Sequence, residues 1–347
     1  MVIVHQATTP ILIHCGQVGT LDPLRDFLQT VTIDADFRRA FWYALINVPQ
    51  PAPLSDLHAL VPFVPADYPP GEMNPVLQAV INKTPRFVGE MLALDEAGAV
   101  ECLDAVDEAG EGAWHYVAKI DRIDLLPLLD RVYPYTDKQT FEDGLTPLHL
   151  ACTHGNHAMA EALLARGADP SIETYAAETL WSLLTEYGML NLFPVVRGYL
   201  PYDGTPNDDG ASPLMSALHW RKPEALEIVQ GLTDVGADPW MERVPDGDGT
   251  CTIWEWLISD SHGARAEILA HFVGLPGGAQ LTLADVCATG ESEVVYAWLR
   301  RQDQTEALKV LQALELLSNA PAESWAVLVE GILAEQQRNL SDSPAAP

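Results

Sequence analysis

Gly144-Leu145-Thr146-Pro147-Leu148-His149-Leu150-Ala151, followed by Gly155 and then by Gly167-Ala168-Asp169-Pro170, is the stretch from which the fold is read. Its first half has the chemistry of a helix start. The Thr146 hydroxyl is suited to accept a free N–H of the first turn, and Pro147 at the first helical position sacrifices nothing, since its missing N–H would be unpaired there. Leu148, Ala151 and Cys152 then share one face. A second helix is expected over 156–166, with Ala158, Leu163 and Leu164 turned inward. Gly167 ends it where a left-handed backbone costs little.

The unit repeats. Thr146-Pro147 returns after 33 residues as Thr179-Leu180 and after another 33 as Ser212-Pro213, while Gly155 returns as Gly188. One pair of short antiparallel helices cannot bury its apolar side alone, so neighbouring pairs must stack into a continuous core. The expectation is an all-α solenoid of stacked helix pairs with helical caps at its N- and C-terminal ends.

The unit resembles the ankyrin repeat, through Thr146, Pro147, Leu148, His149, Ala151, Gly155, Leu163, Leu164, Gly167, Ala168 and Asp169. The next unit keeps Thr179, Leu180 and Gly188 but has Trp181-Ser182 in place of Leu-His. Asp209-Gly210-Ala211-Ser212-Pro213-Leu214 restores the signature, and Gly236-Ala237-Asp238-Pro239 closes that unit three residues late, with the extra length placed around Arg221-Lys222-Pro223. A further unit opens at Thr252-Ile253 after an enlarged finger over 244–250, and another at Thr282-Leu283-Ala284. Gly98 to Gly110 echoes the spacing from Gly155 to Gly167. The resemblance implies that His149 is structural, linking neighbouring loops through its two ring nitrogens.

The domain reading follows: residues 1–80 as an N-terminal helical cap or small module with a Pro-rich connector, ankyrin-like repeats over 84–300 with 143–240 the firmest, a C-terminal helical cap over 301–340, and a disordered tail at 341–347. In the first segment Phe37, Phe41, Trp42 and Leu45 suggest helices. In the cap, Trp325, Leu328, Val329, Ile332 and Leu333 form an apolar stripe.

Charge is the second large fact. Among 347 residues, 49 Asp and Glu face 19 Lys and Arg, a formal net charge of −30. Such a surface repels nucleic-acid phosphates and favours a cationic protein partner; solubility in a salt-adapted setting explains the same composition. An apolar content of 48% rules against a disordered chain. Met1-Val2-Ile3-Val4-His5 lacks a basic start and Ile11-Leu12-Ile13 is cut short by His14, so a cytoplasmic protein without membrane contact is expected. Cys15, Cys102, Cys152, Cys251 and Cys287 are too scattered for a disulfide framework and read as buried free thiols.

Function is sought at the finger tips, which a rigid core fixes while leaving their side chains free, and on the concave face of the helices beside them. The first tip offers Glu173 and Tyr175, the second Tyr202, Asp203, Asp208 and Asp209, and the third Trp240, Glu242, Asp246 and Asp248. Rings beside carboxylates suit recognition of a basic protein surface. No cofactor and no catalytic or metal site is expected. His149, Cys152, His154 and His157 need not converge, because a new helix starts between them, and Asp246-Gly247-Asp248-Gly249 lacks the remaining ligands of a calcium loop. There is no phosphate cradle and no nucleophile elbow.

The reading is a noncatalytic scaffold, a monomer alone or a heterodimer with its partner. Resemblance to bacterial ankyrin-type chains, joined to the charge, points to an immunity protein that inhibits a basic toxin. Two alternatives stand beside it: an effector or enzyme with an N-terminal activity and repeats for target recognition, and a general salt-adapted scaffold.

Overall fold

A computed structural model describes residues 2–68, 73–94, 102–219, 225–246, 249–259, 266–282, 285–286, 289, 291–301 and 331. The expected C-terminal stripe from Trp325 to Leu333, the tail, Cys287, Gly98, Asp248 and the loop at Arg221-Lys222-Pro223 lie outside the described residues. The chain divides into two compact units, Met1–Leu200 and Pro201–Pro347.

In the first unit helices follow in pairs: α1 (Val2–Val18) and α2 (Asp22–Leu28), α3 (Ala35–Ile46) and α4 (Leu54–Leu60), α5 (Pro75–Asn82) and α6 (Pro85–Leu92), α7 (Ala113–Lys119) and α8 (Leu126–Val132), α9 (Pro147–Thr153) and α10 (His157–Leu164), α11 (Leu180–Glu186) and α12 (Phe193–Arg197). The first members pack in series, α1 on α3, α3 on α5, α5 on α7, α7 on α9 and α9 on α11. This is a stacked, solenoid-like arrangement. The second unit contains α13 (Pro213–His219), α14 (Ala225–Val235), an antiparallel hairpin of β1 (Arg243–Asp246) and β2 (Gly249–Thr252), α15 (Ile253–Ser259), α16 (Ala266–Gly274) and α17 (Ser292–Arg301). Its helices pack α13 on α14, α14 on α16 and α16 on α17.

The repeats that open at Thr146, Thr179 and Ser212 start with the capping their sequence prescribes. The hydroxyls of Thr146, Thr179 and Ser212 accept the backbone N–H of His149, Ser182 and Met215 at 3.3, 3.3 and 3.2 Å, each worth about 1 kcal/mol to its helix. Thr252 with Glu255, and Thr282 with Asp285, form reciprocal caps in which the hydroxyl and the carboxylate each accept an N–H of the other residue. Asp34 and Asn74 cap α3 and α5 one way, the side chain of Asp34 accepting the N–H of Phe37 and that of Asn74 the N–H groups of Val76 and Leu77.

Two series of left-handed residues keep the period. Asp121, Gly155 and Gly188 have φ of 54, 77 and 68° and turn the chain from first to second helix. Gly110, Gly144, Ala177 and Gly210 have φ of 83, 70, 54 and 77° and form the finger turns. Gly110 therefore belongs with Gly144. The echo of the Gly155 to Gly167 spacing does not carry over to Gly110, because spacing alone does not distinguish the two kinds of left-handed turn. The residue after the first series staples repeats together: the Arg122 guanidinium donates to the Val80 and Lys83 carbonyls at 2.5 and 2.7 Å, and the Asn156 amide to the Ala118 carbonyl at 2.7 Å. Both satisfy carbonyls left open at a preceding helix end.

Leu148, Ala151 and Cys152 are fully buried, as are Met159, Ala160 and Leu163 of α10. Ala158, expected to face inward, is exposed: it sits in the first turn of α10, and the buried face runs through positions 159, 160, 163 and 164. The Cys152 thiol is pushed up to about 12 by burial, and among the described cysteines Cys15, Cys102 and Cys152 are buried and outside any disulfide while Cys251 is half-buried. The late closure at Gly236 reflects partly a longer second helix, since α14 has 11 residues against 8 in α10.

His149 is fully buried, and of its ring nitrogens only Nδ1 meets hydrogen-bond geometry, within its own repeat, so a link between loops through both ring nitrogens is not seen. Its Nδ1 accepts the Thr146 N–H at 3.1 Å, and burial lowers its pKa to about 4, opposed by the Ile172 carbonyl. His115 occupies the same place one repeat earlier, with Nδ1 accepting from the Gly112 N–H at 3.0 Å and Nε2 facing the Lys138 carbonyl at 2.9 Å.

Candidate functional site

The fingers are built by one local device. At Asp107, Thr174 and Asn207 a side-chain oxygen accepts the N–H four residues on, while the residue's own N–H donates to that residue's carbonyl. Thr140 does the same with Leu145, one residue further. The device needs a short polar side chain, which is why Asp, Thr and Asn fill it.

In the first unit successive fingers are bonded to one another. The N–H of Phe141 donates to the Ala109 carbonyl at 2.8 Å and that of Tyr175 to the Asp143 carbonyl at 3.0 Å. The Gln139 amide reaches both the Gly144 and the Glu173 carbonyl, at 2.8 and 2.9 Å. Each exposed ring covers the preceding turn: a Cβ on Gly110 would meet the Phe141 ring at 2.9 Å, and one on Gly144 would meet Tyr175 at 2.6 Å. Glycine is thus required at both positions by the ring as well as by φ.

Beneath Tyr175 opens a cavity of about 770 Å3 between the finger turns and the first helices. Leu150 and Leu183 are buried in its floor. Glu142, Asp143, Glu178 and Glu186 bring carboxylates to it, and Tyr175 and Tyr187 bring rings that are 59% and 46% exposed. The negative field acts on the Tyr187 phenol, whose pKa is raised by burial and then by the charges of Glu186 and Glu178. Of these residues only Tyr175 was singled out as a tip position from the sequence. The others come from two fingers and two helices, and no single window of sequence collects them.

The remaining expected tip residues divide by environment. Glu173 is exposed, as are Asp203, Asp208 and Asp209 in the second unit. Tyr202 and Glu242 turn toward each other: the Tyr202 hydroxyl donates to Glu242 Oε1 at 2.9 Å, and burial raises the pKa of both. Trp240 is half-buried, its ring 4.7 Å from that of Trp254, and it lies over Gly277. This Trp pair and the 75% exposed Met241 edge a second cavity, of about 670 Å3, with Asp238, Glu255 and Asp285. Asp246 pairs with Gly249 across the hairpin, and Asp248 is outside the described residues.

The histidines and cysteine of α9 and its following turn do not assemble a ligand set. His154 is exposed, with Nδ1 3.0 Å from the Leu150 carbonyl, while Cys152 is buried in the core. Among the described residues no group of three or more His, Cys, Asp or Glu is placed to hold a metal ion, and no helix is long and apolar enough to cross a membrane.

Comparison with known proteins agrees with the repeat geometry. The family model described as "Ankyrin repeat" matches residues 143–175. Over 267 residues the chain is 35% identical to the "Nuclear factor NF-kappa-B p105 subunit" of Mus musculus, a match covering 71% of this chain and 25% of the mouse protein. A 41-residue stretch is 54% identical to the "Ankyrin repeat and LEM domain-containing protein 1 homolog" of Caenorhabditis elegans, covering 12% of this chain and 6% of that protein. The matches thus span a quarter or less of these relatives.

Proposed function

Since this chain is an ankyrin-repeat-containing protein, and that fold generally serves protein–protein interaction, we propose that it is a noncatalytic scaffold whose fingers recognise a basic partner protein and inhibit it by occlusion. The supporting observation is the pairing of fixed, exposed carboxylates on the fingers with a formal net charge of −30. Asp203, Asp208, Asp209 and Glu173 are available to grip Arg or Lys, and the field of the whole chain speeds encounter with a cationic surface. A toxin with a cationic active site is a partner of this class, and sealing such a site would make the chain an immunity protein.

The experiment is affinity capture from the native cell at low and high salt, followed by affinity measurement for the wild type and for the combined Asp208→Asn, Asp209→Asn, Asp246→Asn and Asp248→Asn variant. The variant is expected to bind the captured basic protein more weakly and with a shallower salt dependence. Equal affinity and equal slope would remove the finger contacts and leave the acidity to solubility alone.

A further inference from the structure

The cavity beneath Tyr175 combines features that select among cations. Its floor is apolar at Leu150 and Leu183, its rim carries four carboxylates, and two tyrosine faces remain open to solvent. The Tyr175 ring lies over Gly144, and the Tyr175 N–H donates to the Asp143 carbonyl.

We propose that this groove receives an arginine side chain of the partner protein, whose guanidinium lies against the Tyr175 and Tyr187 faces and is gripped by the carboxylates of Glu142, Asp143, Glu178 and Glu186. The assignment rests on the binding role proposed above and narrows it to one side-chain type. Charge complementarity requires a cation, and the chemistry of the walls favours arginine over lysine. A planar guanidinium is weakly hydrated, stacks on aromatic faces and offers a fork of donors to carboxylates, whereas an ammonium is compact and strongly hydrated. The aliphatic stem of the arginine would cover Leu150 and Leu183.

Fluorescein-labelled nona-arginine and nona-lysine, titrated with the full chain and read by anisotropy, separate the alternatives. The wild type is expected to bind nona-arginine about tenfold more tightly than nona-lysine. Tyr175→Ala with Tyr187→Ala should erase that preference, while Tyr175→Phe with Tyr187→Phe should keep it, because the ring face rather than the hydroxyl is used. Should the alanine pair disturb the fold, Glu142→Gln with Asp143→Asn, at two exposed positions, must still reduce the lead of nona-arginine. Asp208→Asn with Asp209→Asn, on a finger of the second unit, should weaken both peptides alike and leave their ratio unchanged. Equal binding of the two peptides by the wild type, or a preference that survives loss of both rings, would overturn the arginine assignment. If that happens while the four-Asn variant still loses the captured partner, the finger reading stands without the groove; if the partner also binds that variant normally, both fall.

Discussion

Replacing Ala177 by Gly should stabilise this chain, although the substitution removes a methyl group and loosens the unfolded state. Ala177 holds φ of 54° at the place where Gly110, Gly144 and Gly210 hold 83, 70 and 77°. A left-handed backbone costs an ordinary L-residue about 1–2 kcal/mol, and glycine gives back about 0.4–1 kcal/mol through its greater unfolded freedom. The net gain is therefore about 0.8 kcal/mol at the midpoints of these ranges, within limits of about 0 and 1.6 kcal/mol. The reverse change one repeat earlier must have the opposite sign. Gly144→Ala meets the same backbone penalty and also puts its Cβ 2.6 Å from the Tyr175 ring, so a loss of about 1–3 kcal/mol is expected. Urea unfolding followed by far-ultraviolet circular dichroism gives the assay, with the midpoint rising by a few tenths molar for Ala177→Gly and falling by more for Gly144→Ala. A lowered midpoint for Ala177→Gly, or shifts of one sign for both variants, would refute the claim that these residues occupy one repeated turn.

Two further outcomes follow from the core and the staples. His149 is neutral and buried in the fold, with its pKa lowered from 6.5 to about 4. Its contribution is complete above the unfolded value and is lost as pH falls from about 6.5 through about 4, by up to about 3 kcal/mol. His149→Gln should flatten the acid arm of a urea-midpoint profile, and an unchanged profile would contradict the assigned burial. Asn156→Ala removes the bonds to the Ala118 and Lys119 carbonyls, and about 1–2 kcal/mol should disappear without change in net charge, as read from the urea midpoint.

The legible part of the fold is the part whose chemistry is local. Thr146, Thr179 and Ser212 announce helix starts because a capping hydroxyl acts within three residues, and their equal spacing then implies stacking. The N-terminal pairs were hidden from that argument. Their caps at Asp34 and Asn74 stand off the 33-residue period, although Phe37, Phe41 and Trp42 did mark α3 and are buried in it. Gly110 was misplaced because glycine signals a left-handed backbone without saying which turn needs it. Tyr202 and Glu242 lie 40 residues apart and meet only through folding, so a tip assignment could not foresee that they face each other. A concave binding face was expected, but the residues that line this groove were not legible for the same reason: Asp143, Glu178 and Tyr187 belong to different elements, and only stacking of the repeats brings them to one cavity.

Amide hydrogen exchange on the full chain, with and without the captured partner, tests the central claim most directly. Slower exchange on binding is predicted for the finger segments 140–145, 174–178 and 207–211, with residues 2–68 unchanged. Protection confined to residues 2–68, with the fingers exchanging as in the free chain, would contradict the account and move recognition to the N-terminal helices.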